Sequence, residues 1–432
     1  PPDAHIKRHS IMIWLPLVLS SIAGSAHAAD DVKTTPHLAV HLRPNVRANP
    51  AFGAGADDTS VQIQQGIRAG LEASKGGISG RVDLQEVRRW GDRSGTTGTE
   101  AAVHAYQGYL QFKTNTGWLR VGRQEIHLLD GAYLSKAPWN PAGRSLDAVR
   151  LHHGTDNLEV DAFASQLKSS TGWSDAETPP DLGDWFGGAT ATLKGFSVVK
   201  PSLFVLAKYG GPSEASPDRH DQWVGPGARL VVDYNQTALD LNTLVQIGDV
   251  SGTPRQAYSI IARVEQRLNL PLSPGIALRF DQSSGHACTE EAGSDTCTSD
   301  VNRTLDLQWG RNHYYRGLAD QVAATNSRHM AAELFAKPAN NLHVELIGSF
   351  FQLTNPEGPW MRNGGKLQGS GWKPGNEDAT LGAEVDARIA WKAGKHMKID
   401  GGLSLFQPLG VGKEMAGDDL QTYCFTRMMF AL

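Results

Sequence analysis

The chain has 432 residues, long enough for two or three ordinary domains or for one large barrel. Its 41 basic and 45 acidic side chains leave no basic excess of the kind nucleic-acid binding calls for. The 47 glycines and 22 prolines suit many tight turns between strands better than long helices.

In chain order, Lys7 and Arg8 precede an apolar run from Ile11 to Ile22, and Ala26-His27-Ala28 supplies a small-x-small pattern. Together these predict a signal peptide over residues 1–28, cleaved after Ala28. As a membrane anchor the run would be too short, because a helical span needs about 20 apolar residues. No later stretch reaches that length, so residues 29–432 are either soluble or a β-barrel.

The dominant signal beyond Ala28 is alternation with a period of two. Val61, Ile63, Ile67 and Leu71 fall on one face, opposite Gln62, Gln64, Arg68 and Glu72. Ile78, Val82 and Leu84 oppose Ser79, Arg81, Asp83 and Gln85. Late in the chain, Leu381, Ala383, Val385, Ala387, Ile389 and Trp391 oppose Gly382, Glu384, Asp386 and Arg388. Strand segments are predicted near 37–47, 59–74, 77–90, 102–114, 117–126, 145–153, 157–168, 184–194, 197–209, 225–235, 237–249, 255–268, 274–283, 301–309, 327–337, 341–353, 378–392, 395–406 and 420–431. Bacterial single-chain barrels use an even number of strands, and 301–309 is the weakest candidate. The prediction is therefore an all-β, antiparallel up-and-down transmembrane barrel of about 18 strands.

Many segments run ten residues or more, the length of a tilted outer-membrane crossing and longer than a usual globular strand. Short turns such as Lys75-Gly76-Gly77 alternate with longer connections, including 127–144, 284–300 and 354–377. The alternative is a soluble two-sheet sandwich, which would alternate in the same way.

A barrel of this width holds water, so charges of both signs on the polar face are tolerated and set a field for ions. Candidate pore-lining residues are Arg68, Arg81, Arg120, Arg123, Arg150, Arg263 and Arg388, with Glu384 and Asp386. Arginine suits carboxylate recognition because its planar fork binds in a bidentate way. Each arginine could equally neutralise a neighbouring acid. Trp90, Trp118, Trp139, Trp185, Trp309, Trp360, Trp391 and Tyr423 fall near strand ends and are read as interfacial girdles. Cys288 and Cys297 bracket a polar stretch, which an exported chain could close as a disulfide; two free thiols are the alternative. Cys424 is left for a strand position.

Hydrolase and nucleotide motifs are missing: no G-x-S-x-G, no H-E-x-x-H and no P-loop occurs. His152 and His153 are adjacent, so a strand would point them to opposite faces. The pattern calls for no catalytic residue, no metal and no cofactor.

Several stretches resemble the alginate-export family of outer-membrane channels. They are Leu119-Arg120-Val121-Gly122-Arg123-Gln124-Glu125, the segment from Gly143 to Leu151, the stretch from Gly310 to Asp320 with its His313 and Gly317, and Leu381-Gly382-Ala383-Glu384-Val385-Asp386. The resemblance implies an eighteen-stranded outer-membrane barrel that exports an acidic polysaccharide such as alginate, with lumenal arginines at Arg68, Arg123 and Arg150. Strict alternation from Leu119 instead sets Arg123 on the lipid side; a bulge or a rim position would reconcile the two. The expected partners are outer-membrane lipid, an anionic polysaccharide or small anionic solute, and a periplasmic export scaffold. A general or anion-preferring porin and an outer-membrane enzyme or binding module are the competing readings.

Overall fold

Alternating side chains commit each segment to a strand with one apolar and one polar face, and a barrel is the way to satisfy every edge. The computed structural model describes residues 32–50, 52, 59–90, 103–168, 184–210, 220–287, 300–306, 309–310, 312–363, 366–368 and 375–432. The predicted signal peptide and the Cys288–Cys297 pair lie outside the described residues.

The strands are β1 (Lys33–Ala48), β2 (Thr59–Lys75), β3 (Ile78–Trp90), β4 (Val103–Lys113), β5 (Gly117–Gln124), β6 (Leu146–Gly154) and β7 (Leu158–Lys168). They continue with β8 (Asp184–Leu193), β9 (Val199–Gly210), β10 (Asp221–Tyr234), β11 (Thr237–Val250), β12 (Thr253–Arg267) and β13 (Gly275–Ser283). The series ends with β14 (Ser327–Ala339), β15 (Leu342–Gln352), a two-residue pair β16 (Met361–Arg362) and β17 (Lys366–Leu367), β18 (Thr380–Lys392), β19 (Met397–Pro408) and β20 (Gln421–Ala431). Two short helices, α1 (Asn312–Tyr315) and α2 (Val411–Ala416), sit in connections.

All strands except β16 and β17 form one 18-stranded antiparallel sheet, each paired with its chain neighbour. The sheet closes on itself where β1 pairs with β20, with Val46 opposite Cys424 and Val40 opposite Phe430. The candidate strand at 301–309 is not one. Among its described residues only Asn302 makes a bridge, to Arg255, and the segment turns into the barrel.

The outer face is aliphatic: Val61, Val82, Leu203, Ile247, Leu278, Leu334, Val385 and Ile389 are all exposed. Leu381 departs from this pattern. It is the unpaired residue of a β-bulge, since Phe351 pairs with Gly382 and Gln352 with Thr380, and it is buried beside Phe52, Val411 and Phe406. Cys424 is exposed on the outer wall. Of the predicted girdle, Trp90, Trp185 and Trp391 do face outward. Trp118, Trp139, Trp309, Trp360 and Tyr423 do not. They pack against arginines and rings inside the barrel.

The start of β1, the C-terminal Leu432 and the short turns, such as 76–77, 155–157 and 340–341, share one end of the barrel, with the long connections at the other. This is the arrangement of short periplasmic turns and long external loops. One connection on the long-loop side is a tight turn: Ser251-Gly252, both at positive φ, link β11 to β12.

Candidate pore constriction

The lumen is not an empty tube. Two connections fold into it: residues 125–145, between β5 and β6, and the described residues of 300–326, between β13 and β14. The first carries Ile126, Leu128, Tyr133 and Leu134 into an apolar cluster with Phe163, Phe186, Phe204, Leu206, Trp223 and Leu244. That cluster fills the side of the lumen walled by β7 to β11. Phe163, Phe186, Phe204, Leu206, Trp223 and Leu244 point inward here, so burying them against the loop removes apolar surface from water.

Asp130 joins the two inward segments and the far wall. It accepts hydrogen bonds from Tyr315 Oη at 2.7 Å and Asn242 Nδ2 at 3.2 Å, and lies 3.7 Å from Arg229. The second segment is held from behind. Arg316, 1% exposed, pairs with Asp281 at 2.5 Å and donates to Ser283 at 3.0 Å and to Ser327. The backbone N–H groups of Leu318 and Ala319 donate to Asp386 and Glu384 at 3.3 and 3.1 Å.

Gly317 is required at this crossing. It adopts φ +84°, and a Cβ there would stand 2.3 Å from Glu384 Oε1. Gly143 does the same for the first segment: at φ +60°, a Cβ would meet Arg68 and Tyr106 at 2.4 Å.

Trp139 is the meeting point of the two segments. His313 stacks on it at 3.7 Å between centroids, Arg43 lies over the ring at 3.9 Å, and Arg427 lies at 4.8 Å. His313 Nδ1 pairs with Asp320 Oδ2 at 2.8 Å, and Asn363 donates to the same carboxyl group. Burial opposes ionisation of Asp320, but His313, Arg47 and Asn363 outweigh it and hold the carboxyl below its ordinary value. Burial lowers the Arg144 guanidinium to about 10, and the side chain donates to the carbonyls of Ser135 and Trp309.

Space remains on the other side of the barrel. A cavity of about 410 Å³ opens beside His37 in β1 and the C-terminal Leu432, lined by Arg68, Arg81, Arg120 and Lys136, with Asp83, Glu125, Tyr106 and Tyr109. A second, of about 510 Å³, lies against β13 to β20, with Arg279, Arg388, Lys398 and Arg427 facing His313, Asp320 and Glu345.

The predicted residues divide accordingly. Arg68 rests on Tyr106 at 3.7 Å, donates to Gln85 at 2.7 Å, and lies 3.7 Å from Glu125. Arg81 is tied to Asp83 at 2.8 Å. Arg120 donates to Gln111 Oε1 at 2.7 Å and stacks over Tyr109 and Trp118 at 4.1 and 4.6 Å; no carboxylate within ion-pair distance is described for it. Arg150 is locked to Asp161 through two nitrogens, at 2.7 and 2.8 Å. Arg263 bridges Glu265 and Glu333, and Arg388 meets Glu345 at 3.3 Å. Glu384 and Asp386 are each 1% exposed, and their task is to hold the second inward segment.

Arg123 is a correction. It sits directly opposite Asp147 on the outer wall and forms a bidentate pair with it at 2.7 and 2.8 Å. Neighbouring outward positions Val121, Val149 and Leu151 are exposed, so alternation governs and Arg123 does not line the lumen. Arg43, Arg47, Lys398 and Arg427 also belong to the inner face, and their alternation in β1, β19 and β20 could have identified them. Lys136, Trp139 and His313 lie on connections, where no period marks them.

A family model described as alginate export matches residues 36–417. Solved outer-membrane barrels of Pseudomonas aeruginosa share the fold. OpdL superposes with a TM-score of 0.60 at 10% identity, over 93% of this chain and 99% of its own. OccK8 (OprE) gives 0.59 at 10% identity, over 93% and 98%. OprD gives 0.54 at 9% identity, over 92% and 93%. No curated protein matches the chain. With the family match running through nearly all of this closed barrel, the chain belongs to the alginate-export family of outer-membrane channels.

Proposed function

We propose that this channel passes an anionic saccharide, with an alginate-like acidic polysaccharide leaving the periplasm as its solute. One observation carries the anion preference. Arg120 faces a 410 Å³ cavity with Arg68, Arg81 and Lys136, yet it rests on aromatic rings and an amide instead of on a carboxylate. Gln111 takes only its Nε and Nη2, which leaves the Nη1 edge to donate to a passing carboxylate. The family match supports a uronate polymer as the solute. A periplasmic scaffold that delivers the polymer is the partner this reading implies.

The test is reversal potential and single-channel current in a planar bilayer. Native protein should prefer chloride to potassium, and oligouronate should block the current where a neutral oligosaccharide of equal length does not. Arg68→Ala with Arg120→Ala should move the reversal potential toward the cation value; an unchanged potential would remove these arginines from the path.

A specific observation favours a second reading, an anion-preferring porin for small solutes. The apolar packing of residues 126–134 fills one side of the lumen, which suits short solutes. Block by monomeric and polymeric uronate at equal strength would select it. An enzyme built on the barrel would carry no anion-selective current.

A further inference from the structure

The outer wall carries a hollow that the passage of solute does not use. Reading across the sheet at one level, Arg123, Asp147, Gln166, Trp185, Tyr209, Gln222 and Asp249 are successive cross-strand partners from β5 to β11. This row is polar and aromatic, and it lies toward the long-loop end. One register step toward the middle of the wall, the partners are Ala164, Gly187, Ala207, Val224 and Ile247. Three adjacent strands thus place their smallest side chains together, just beneath the Trp185–Tyr209 pair. The result is a cavity of about 450 Å³ on the outward face.

We propose that this hollow is a binding site for one acyl chain of an outer-leaflet lipid, whose headgroup meets Gln166 and Gln222 in the polar row. The wall lies within a bilayer, and the hollow sits one step inside the aromatic level at which the headgroup region begins. Its neighbours Val149, Val224 and Ile247 are 49%, 51% and 59% exposed. A flat protein surface would touch those branched side chains first and leave the hollow unfilled. A flexible chain can enter it and recover the lost dispersion contacts. Aromatic Trp185 and Tyr209, each 40% exposed, wall it toward the loops and offer polar edges to the ester region.

The test counts lipids on the whole barrel. The full chain is reconstituted in dioleoyl phosphatidylcholine, extracted in mild detergent, and examined by native mass spectrometry. Native protein should retain one phosphatidylcholine that the Ala164→Leu/Ala207→Leu double variant loses, because leucines at those positions fill the hollow from outside the lumen. Ala387→Leu, outward on β18, should retain it. Heat-shifted gel migration reports that each variant folds; if the double variant does not, Ala207→Leu alone is read in the same way. Equal retention by native and filled proteins overturns the site. So does a native dimer that the filled variant lacks, which would assign the hollow to a second copy of the chain.

Discussion

Arg120 and Arg123 stand three residues apart and do different work. Arg120 points inward, stacked between Tyr109 and Trp118, while Arg123 lies on the outer wall in a two-bond pair with Asp147. Arg120→Ala should therefore shift the reversal potential toward cations, and Arg123→Ala should leave it unchanged while lowering resistance to urea by no more than about 1 kcal/mol, the scale of an exposed pair. Measuring both variants in the same bilayer separates the faces. Asp320 supplies a pH dependence of definite sign. Its carboxyl is depressed in the folded barrel, so its stabilisation of the second inward segment is in place above the unfolded value near 3.9. That contribution is lost as pH falls through the lower folded value. Open-channel noise should rise in strong acid, below about pH 4, and Asp320→Asn should show the raised noise already at neutral pH.

Among the elements, the two inward segments occupy part of the lumen. Residues 316–320 are strapped to the wall by Arg316 and by two backbone N–H groups on Glu384 and Asp386. Gly317→Ala introduces both a strained φ and a clash with Glu384, a cost of about 1–3 kcal/mol. The expected result is a segment that leaves its seat, with single-channel conductance raised and the barrel still folded; unchanged conductance would show that this segment does not limit the passage. Asp130→Ala removes the acceptor shared by Tyr315 and Asn242 and should act in the same direction. The alternation that marks strands does not extend to these segments. Hydrophobic residues such as Leu128 and Leu134 are buried there against the lumenal wall of distant strands. The same packing explains why 301–309 resembles a strand: Leu305 is buried in the apolar cluster, and Asp306 accepts from Lys208 and Trp223.

At the scale of the whole molecule, closure between β1 and β20 leaves one aliphatic surface and one wet interior. Val385→Arg would put a charge into the lipid-facing band and should cost up to about 2–4 kcal/mol, measured by urea unfolding from vesicles. Asp386→Asn, one residue away, should change that transition less, because the amide can still accept from Leu318. The contrast tests the assignment of faces without reference to transport.

Period-two patterning by itself marked the strand segments, with 301–309 in excess, and the lumenal side of Arg68, Arg81, Arg120, Arg150, Arg263 and Arg388; the even strand number of single-chain barrels brought nineteen candidates to eighteen. A strand's two faces are written directly into alternate residues, and neighbouring strands are also neighbours in the chain. Only the tertiary structure decided what lies inside the cylinder. Which rings turn inward, which arginines are neutralised, and how residues 125–145 and the described residues of 300–326 occupy part of the lumen all depend on contacts between residues far apart in the chain, such as Arg43 with Trp139 and Arg47 with Ala319. No local period records a contact of that kind.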